Sequence, residues 1–148
     1  MYDRMAAQAE EYREKYGMDT AWKVKTTFSG TRSNPQERGS ITGIGVENFH
    51  PAAMTLGVIG GILGELYEMY MEMCRVTGRK ATRLVGSGNG LRKNKLMQDM
   101  AEEIFGMNLQ IPQYQEEAAY GAALYALTAT GKEDFGQIQK KIRYCTAQ

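Results

Sequence analysis

A glycine-rich turn limits the fold of this chain more than any other feature of its sequence. The turn, called here the glycine loop, consists of Gly86, Ser87, Gly88, Asn89 and Gly90. It follows the apolar stretch Arg83–Val85 and precedes the helical pattern Leu96–Ile104, so we predict a strand, a turn and a helix. Closely spaced glycines let a backbone approach a flat or anionic ligand, and the N-terminus of the next helix favours phosphate. The loop is therefore either a tight connection or a nucleotide-binding element.

Two established nucleotide-binding motifs do not fit the glycine loop. The dinucleotide fingerprint requires a further glycine where this chain has Leu91. The Walker phosphate loop requires Gly-Lys-Ser/Thr at a fixed distance after a glycine, and Gly86, Gly88 and Gly90 do not supply it. A nucleotide at this loop would therefore bind with its base and ribose against the glycines.

Composition predicts one domain over residues 1–148, with neither nucleic acid nor a membrane as partner. The formal net charge is +1, without the basic excess that nucleic acid attracts, and no apolar run is long enough to cross a bilayer. Cys74 and Cys145 suit reduced thiols, so we expect a cytoplasmic protein. His50 is the only histidine; its place before Pro51 predicts a role at a helix start. We expect no metal site within the chain.

The hydrophobic pattern predicts a mixed α/β order along the whole chain. Predicted helices cover 1–16, Pro51 to about Val76, 96–104 and 116–127, and predicted strands cover 22–28, 40–44, 83–85 and 108–112. The long second helix contains four glycines, each costing about 1 kcal/mol of helix propensity, which predicts close packing at Gly57, Gly60, Gly61 and Gly64. The same helix carries methionines that we predict to fill the core, Met69, Met71 and Met73.

The order of these motifs resembles the C-terminal lobe of the FGGY carbohydrate kinases, which belong to the actin-like, ribonuclease H-like ATPase superfamily. In that family a strand leads into a Gly-Gly-Gly-like adenosine loop and an Asn-x-Leu-x-Gln-x-x-Ala-Asp/Glu helix, and a later helix begins Glu-Ala-x-x-Gly-Ala-Ala. The matching stretches here are Asn94–Glu102 and Glu117–Ala123. Upstream, Phe28–Arg32 and Arg38–Ile44 resemble the family's Gly-x-Arg loop and Arg-Gly-x-hydrophobic-x-Gly-hydrophobic strand. Within the family, Gly-Ser-Gly-Asn in place of Gly-Gly-Gly resembles the sedoheptulokinases.

The resemblance implies part of a kinase that transfers the γ-phosphoryl group of ATP to a hydroxyl of a ketose or heptulose. The family's catalytic Asp and both phosphate loops lie outside the stretch matched here, so we expect no catalytic residue in this chain and no sugar kinase activity from it alone. The sugar substrate and Mg²⁺ would be held mainly by the missing part of the kinase. The alternative is a truncated or split actin-like module with a non-catalytic binding or regulatory role.

The resemblance also implies roles for single residues. The glycine loop would form a shelf for adenosine, with weak affinity by itself, and Asn94 would either cap the following helix or touch the base. Glu117 would either favour the dipole of its helix or contact a ligand. Gly121 would let that helix approach the loop, and Arg32 would lie toward the cleft between the lobes. Family members commonly carry Glu where this chain has Thr31, and the Ser and Asn within the loop put the nucleotide preference in question.

The strand order of the family predicts an open sheet edge. Two further strands of the lobe would lie between Ser40–Ile44 and Arg83–Val85, and they are not found in this sequence. Unpaired backbone groups on the remaining strands need other partners. We therefore expect self-association, a swapped segment, altered strand pairing or a companion chain.

Overall fold

The computed structural model describes residues 2–146 as a mixed α/β structure with two small sheets. The α-helices are α1 (Tyr2–Tyr16), α2 (Pro51–Thr77), α3 (Asn89–Arg92), α4 (Lys95–Phe105), α5 (Glu117–Ala129) and α6 (Phe135–Gln139). The strands are β1 (Lys23–Lys25), β2 (Ser40–Thr42), β3 (Leu84–Val85), β4 (Leu109–Pro112) and β5 (Tyr144–Thr146). Strand β1 pairs antiparallel with β2, β3 pairs parallel with β4, and β4 pairs antiparallel with β5.

The main core lies where α1, α2 and α4 meet. Leu56, Leu96 and Met100 are almost completely buried there, and each such side chain contributes about 1.5–3 kcal/mol relative to an exposed position. Ala52 and Ala53 at the start of α2 are also buried, which lets the helices approach closely. The core thus fixes α4, the helix that follows the glycine loop and the short helix α3.

Helix α2 begins as its sequence predicts. Pro51 occupies the first turn, where the missing N–H removes no hydrogen bond. The Nδ1 atom of His50 accepts a hydrogen bond of 3.1 Å from the backbone N–H of Ala52, so the predicted role of His50 at the helix start is confirmed. The helix ends at Gly78, whose N–H donates to the carbonyl of Cys74 (2.9 Å).

The predicted close packing of the α2 glycines is confirmed at two positions. A Cβ atom on Gly57 would overlap the carbonyl oxygen of Trp22, and one on Gly61 would overlap that of Val24. Around Gly60 the nearest atoms to such a Cβ lie at 3.7 and 3.8 Å, and around Gly64 there is nothing within 4 Å. Close approach to a neighbouring backbone therefore explains Gly57 and Gly61, while the prediction of close packing is wrong for Gly64.

The second half of α2 extends past the core. Met69, Met71 and Met73 are 61%, 48% and 48% exposed, so the prediction that they fill the core is wrong. The buried residues of α2 end at Leu63. Beyond it Phe105 of α4 still packs against Tyr67 and Tyr70, but this contact does not cover the methionines.

The first predicted strand is shorter than its alternating pattern suggested, since β1 covers only Lys23–Lys25. On one side Trp22 turns toward other partners: its backbone N–H donates to the carbonyl of Ala53 (3.3 Å) and its indole N–H to that of Asn48 (2.9 Å). On the other side the N–H of Thr26 donates to the Glu65 carboxylate (2.6 Å). Both ends of the strand are therefore held by α2 and the segment before it.

The two sheets are not joined within residues 2–146, and β3 has β4 as its only neighbour there. The sequence did not predict α6 or β5; β5 covers the other edge of β4. None of the helices formed by residues 2–146 combines the length and the apolar character that a membrane-spanning segment needs.

Candidate functional site

The glycine loop joins β3 to α3 as a strand, turn and helix. The N–H of Gly86 donates to the carbonyl of Gln110 on β4 (2.9 Å), which extends the β3–β4 pairing into the loop. Gly88 has φ +92° and ψ 151° and precedes α3, a backbone region that is essentially restricted to glycine. Asn89 and Gly90, predicted as loop, form the first two residues of α3. The loop is shorter than predicted because the N–H of Arg92 donates to the Gly88 carbonyl (3.0 Å) and starts the helical turn.

The two ends of the glycine loop differ in accessibility. Gly86 is buried, and a Cβ atom there would overlap Leu91 and come within 3.0 Å of Leu109. Ser87, Gly88, Asn89 and Gly90 are exposed. A Cβ atom on Gly88 or Gly90 would have nothing within 4 Å, so this side of the loop presents bare backbone to solvent.

Asn94 caps α4, and Gln98 connects α4 to α3. The Oδ1 atom of Asn94 accepts a hydrogen bond from the N–H of Met97 (3.1 Å), so the capping role of Asn94 is confirmed. Gln98 is buried, and its Nε2 donates to the carbonyls of Leu91 (2.9 Å) and Arg92 (3.1 Å). Gln98 thereby attaches α3 to α4, a function that its place in a helical motif did not reveal.

Glu117 pairs with Arg92, a residue that the sequence analysis did not identify. The Nη2 atom of Arg92 donates to Glu117 Oε1 (2.5 Å) and to the carbonyls of Pro112 (2.8 Å) and Tyr114 (3.2 Å). The Arg92 guanidinium holds the pKa of the Glu117 carboxyl below its usual range, with the backbones of Glu117 and Gly88 acting in the same direction. The Glu117 carboxylate therefore has a partner inside the protein.

Gly121 has no close neighbour in the structure, and the predicted place of Arg32 toward the cleft between the lobes stays a prediction. A Cβ atom on Gly121 would have nothing within 4 Å, so the predicted close approach of α5 at this glycine is wrong; α5 buries Leu124 instead. Arg32 is exposed in the segment between β1 and β2, which belong to the other sheet. Within residues 2–146 no hydrogen bond or ion pair joins Arg32 to the glycine loop.

The described part of the chain offers no ready-made metal site. Among residues 2–146 no three His, Cys, Asp or Glu side chains lie close enough together to hold an ion. The residues around the loop fit a neutral, flat ligand group better than a metal, because they supply glycine backbone and one carboxylate that is already paired.

Residues 7–130 match the family model described as "FGGY family of carbohydrate kinases, C-terminal domain". Among curated proteins, gluconokinase of Bacillus subtilis is 27% identical over 101 residues, covering 68% of this chain and 19% of that protein. Sedoheptulokinase of Mus musculus is 27% identical over 127 residues, covering 86% of this chain and 25% of that protein. The chain thus spans a quarter or less of these relatives.

Solved structures of sugar kinases share the fold. The match to gluconate kinase from Lactobacillus acidophilus covers 98% of this chain and 29% of the gluconate kinase chain, with a TM-score of 0.81 and 19% sequence identity. Glycerol kinase from Plasmodium falciparum, solved with ADP, matches 86% of this chain and 26% of its own, with TM-score 0.68 and 24% identity. The predicted fold class, a mixed α/β lobe at the C-terminal end of such kinases, is confirmed. The chain belongs to the FGGY family of carbohydrate kinases and corresponds to its C-terminal domain.

Proposed function

We propose that this chain is the adenosine-binding part of a kinase that transfers the γ-phosphoryl group of ATP to a hydroxyl of a ketose or heptulose. The observation that supports this most is the open backbone at Gly88 and Gly90, in a chain of the FGGY family. A base and ribose need a flat surface without side chains, and these two positions supply one. ADP is present in the glycerol kinase structure that shares the fold.

The sugar is proposed to be of the sedoheptulose type. The mouse sedoheptulokinase aligns with 86% of this chain, compared with 68% for the bacterial gluconokinase, at the same identity of 27%. Residues of the missing part of the kinase would bind this sugar, the phosphates and Mg²⁺, and would supply the carboxylate that takes the hydroxyl proton. We place the protein in the cytoplasm, where ATP and free sugars occur together.

Nucleotide titration followed by NMR tests the proposed loop. We expect ATP and adenosine to shift the amide signals of residues 86–94. Binding should be weak, with a dissociation constant of about 1 mM or higher, which corresponds to a binding free energy on the order of −4 kcal/mol, because only the base and ribose are held. Titration with GTP, compared with ATP, measures the preference of the loop for adenine over guanine. In Gly88→Val the shifts should disappear, since the valine side chain would occupy the open face. Shifts centred on other residues, or unchanged in this variant, would contradict the assignment.

A coupled kinase assay tests whether phosphoryl transfer requires residues outside this chain. The isolated chain should give no turnover with ATP and sedoheptulose, gluconate or xylulose, because electrostatic stabilisation of the transferred phosphoryl group is absent. A longer protein that includes the preceding lobe should phosphorylate one of them, and the sugar with the highest kcat/KM identifies the substrate. Activity of the chain alone, in a preparation free of host kinases, contradicts the proposal.

A second candidate function is that of a module which binds a companion chain. The observation in its favour is the edge of β3, which within residues 2–146 pairs only with β4. Val85 on this strand is 42% exposed, and such an edge can accept another strand. Light scattering over a range of protein concentrations tests this: dimers or larger species support pairing between chains, while a monomer at high concentration argues against it.

A further inference from the structure

We propose that Arg92 is a positioning residue: through Glu117 and the end of β4 it holds the glycine loop in its open conformation. This inference rests on the proposed function, because it deepens the assignment of the loop as the adenosine site. Arg92 is the last residue of α3, the helix that also contains Asn89 and Gly90 of the loop, so an anchor on Arg92 holds the open side of the loop through this helix.

Helix α3 requires such an anchor because it cannot be stable alone. It has four residues, Asn89–Arg92, and Gly90 is one of them. A single helical turn is unfavourable by itself, and glycine weakens it further. Gln98 ties the carbonyls of Leu91 and Arg92 to α4, and the Arg92 side chain adds a second attachment toward β4 and α5. Without this second attachment the loop would sample more conformations, and ordering it would oppose ligand binding.

The guanidinium of Arg92 connects three separate segments to α3. Its Nη2 atom donates to the carbonyl of Pro112 at the end of β4, to the carbonyl of Tyr114 and to the carboxylate of Glu117 at the start of α5. All three contacts come from one nitrogen, Nη2, so its two hydrogens are shared among three acceptors, and the buried Nε atom has no hydrogen-bond partner within residues 2–146. The planar guanidinium holds this nitrogen between the acceptors more rigidly than a lysine ammonium on its flexible stem would.

Burial distinguishes this ion pair from the ordinary surface pairs of the chain. The side chains of Arg92 and Glu117 are 18% and 24% exposed, while those of Arg75 and Glu72 on α2 are 73% and 57% exposed. Exposed pairs contribute little because water screens them. The Arg92–Glu117 pair is screened less, and removing either partner leaves the other without its counter-charge.

The helical turn that carries Arg92 begins at Gly88 of the loop. The Gly88 carbonyl accepts from the N–H of Arg92 (3.0 Å), and the Gly88 backbone helps to lower the pKa of the Glu117 carboxyl. Gly88 is also the residue with φ +92°. The pair therefore supports the loop at a residue whose backbone conformation is essentially restricted to glycine.

The experiment combines amide hydrogen exchange with ATP titration on the whole chain. Arg92→Met removes the charge and the hydrogen bonds, Glu117→Gln removes only the charge, and Arg92→Lys is the conservative variant. Lys93→Met is the matched control, because it removes one positive charge from the neighbouring exposed residue. Amides of α4 inside each variant serve as an internal reference for global stability.

We expect local loosening of the loop. In Arg92→Met the amides of Gly86 and of residue 92 should exchange about tenfold faster or more, which corresponds to about 1.4 kcal/mol, while α4 amides keep their protection. ATP should bind about fivefold more weakly or worse, through the cost of ordering the loop. Glu117→Gln should show a smaller effect in the same direction, Arg92→Lys should restore part of it, and Lys93→Met should leave loop exchange unchanged.

The outcomes separate this inference from the proposed function. If loop exchange in Arg92→Met and Glu117→Gln stays within about twofold of the parent chain, the positioning role of Arg92 is wrong, whether or not ATP binds. If loop exchange rises but the parent chain shows no ATP shifts, the positioning role holds and the nucleotide assignment fails. If Arg92→Met does not fold, Glu117→Gln and Arg92→Lys decide, because they keep the size and most hydrogen bonds of the side chains.

Discussion

Helix α2 and the glycine loop use the same residue type for opposite reasons. In α2, Gly57 and Gly61 lie directly against the carbonyl oxygens of Trp22 and Val24, and no side chain fits there. In the loop, Gly88 and Gly90 face open space. The first pair of glycines is required by the protein's own packing, whereas nothing within the chain fills the space beside the second pair.

This difference separates glycines that stabilise the fold from glycines that serve a ligand. A glycine against a backbone atom is explained by the folded structure alone. A helical glycine beside open space lowers stability by about 1 kcal/mol relative to alanine, and packing does not explain it; Gly64 and Gly121 share this property with Gly90 but lie outside the loop. For Gly90 the proposed reason is that the base or ribose of a nucleotide lies on the loop.

The largest effect is expected for Gly61→Ala. The new methyl group would overlap the Val24 carbonyl oxygen, and because both atoms belong to packed backbone, α2 and β1 must move apart. Overpacking of this kind costs about 1–3 kcal/mol and sometimes more, and we expect the upper end of that range. Urea unfolding measures the loss. Gly64→Ala, one turn later with nothing within 4 Å, is the control and should gain about 0.5–1 kcal/mol; equal losses in both variants would contradict the comparison.

The next effect is expected for Gly88→Ala, measured against Gly17→Ala. Gly17 has φ 77° and ψ 172° and Gly88 has φ 92° and ψ 151°, and both have open space around them. An alanine in this backbone region costs about 1–3 kcal/mol, so both variants should lose similar stability in thermal unfolding. Only Gly88→Ala should also lose the ATP-induced shifts. Loss of binding in both variants would mean that global destabilisation, not the loop, controls the nucleotide.

Local sequence signals predicted the elements of the site but not the contacts that hold them. The strand, glycine loop and α4 followed from spacing, and the caps at His50 and Asn94 followed from residue types next to helical patterns, because capping involves neighbours in the sequence. The Arg92–Glu117 pair joins residues far apart in the chain, so no local pattern marks it. The predictions that Met69 is buried and that α5 packs closely at Gly121 are wrong for a related reason. Periodicity shows which faces of a helix are apolar, but not whether another element covers them.

A smaller loss of stability is expected at Asn94, where two substitutions distinguish its role as a helix cap from a contact with the nucleotide base. Asn94→Ala removes the acceptor for the Met97 N–H and should cost about 1 kcal/mol. Asn94→Ser keeps a capping oxygen, and we expect it to retain both the stability and the ATP affinity of the parent chain. His50→Ala removes the corresponding cap of α2 and is the control for cap loss away from the loop. An Asn94→Ser chain that is stable but binds ATP clearly more weakly would show that Asn94 touches the base.

The smallest change in stability, and the one that tests the comparison most directly, is expected for Gly90→Ala. Gly90 lies within α3, its φ is not positive, and a Cβ atom there would meet nothing within 4 Å. Alanine should therefore raise the free energy of unfolding, by at most about 1 kcal/mol, while its methyl group reduces the flat surface available to a base or ribose. Thermal unfolding and ATP titration of the same sample measure both quantities. A stabilised chain with weaker ATP binding is the expected result, because it shows that the glycine lowers stability for the sake of the ligand. A stabilised chain with unchanged affinity would place the nucleotide elsewhere.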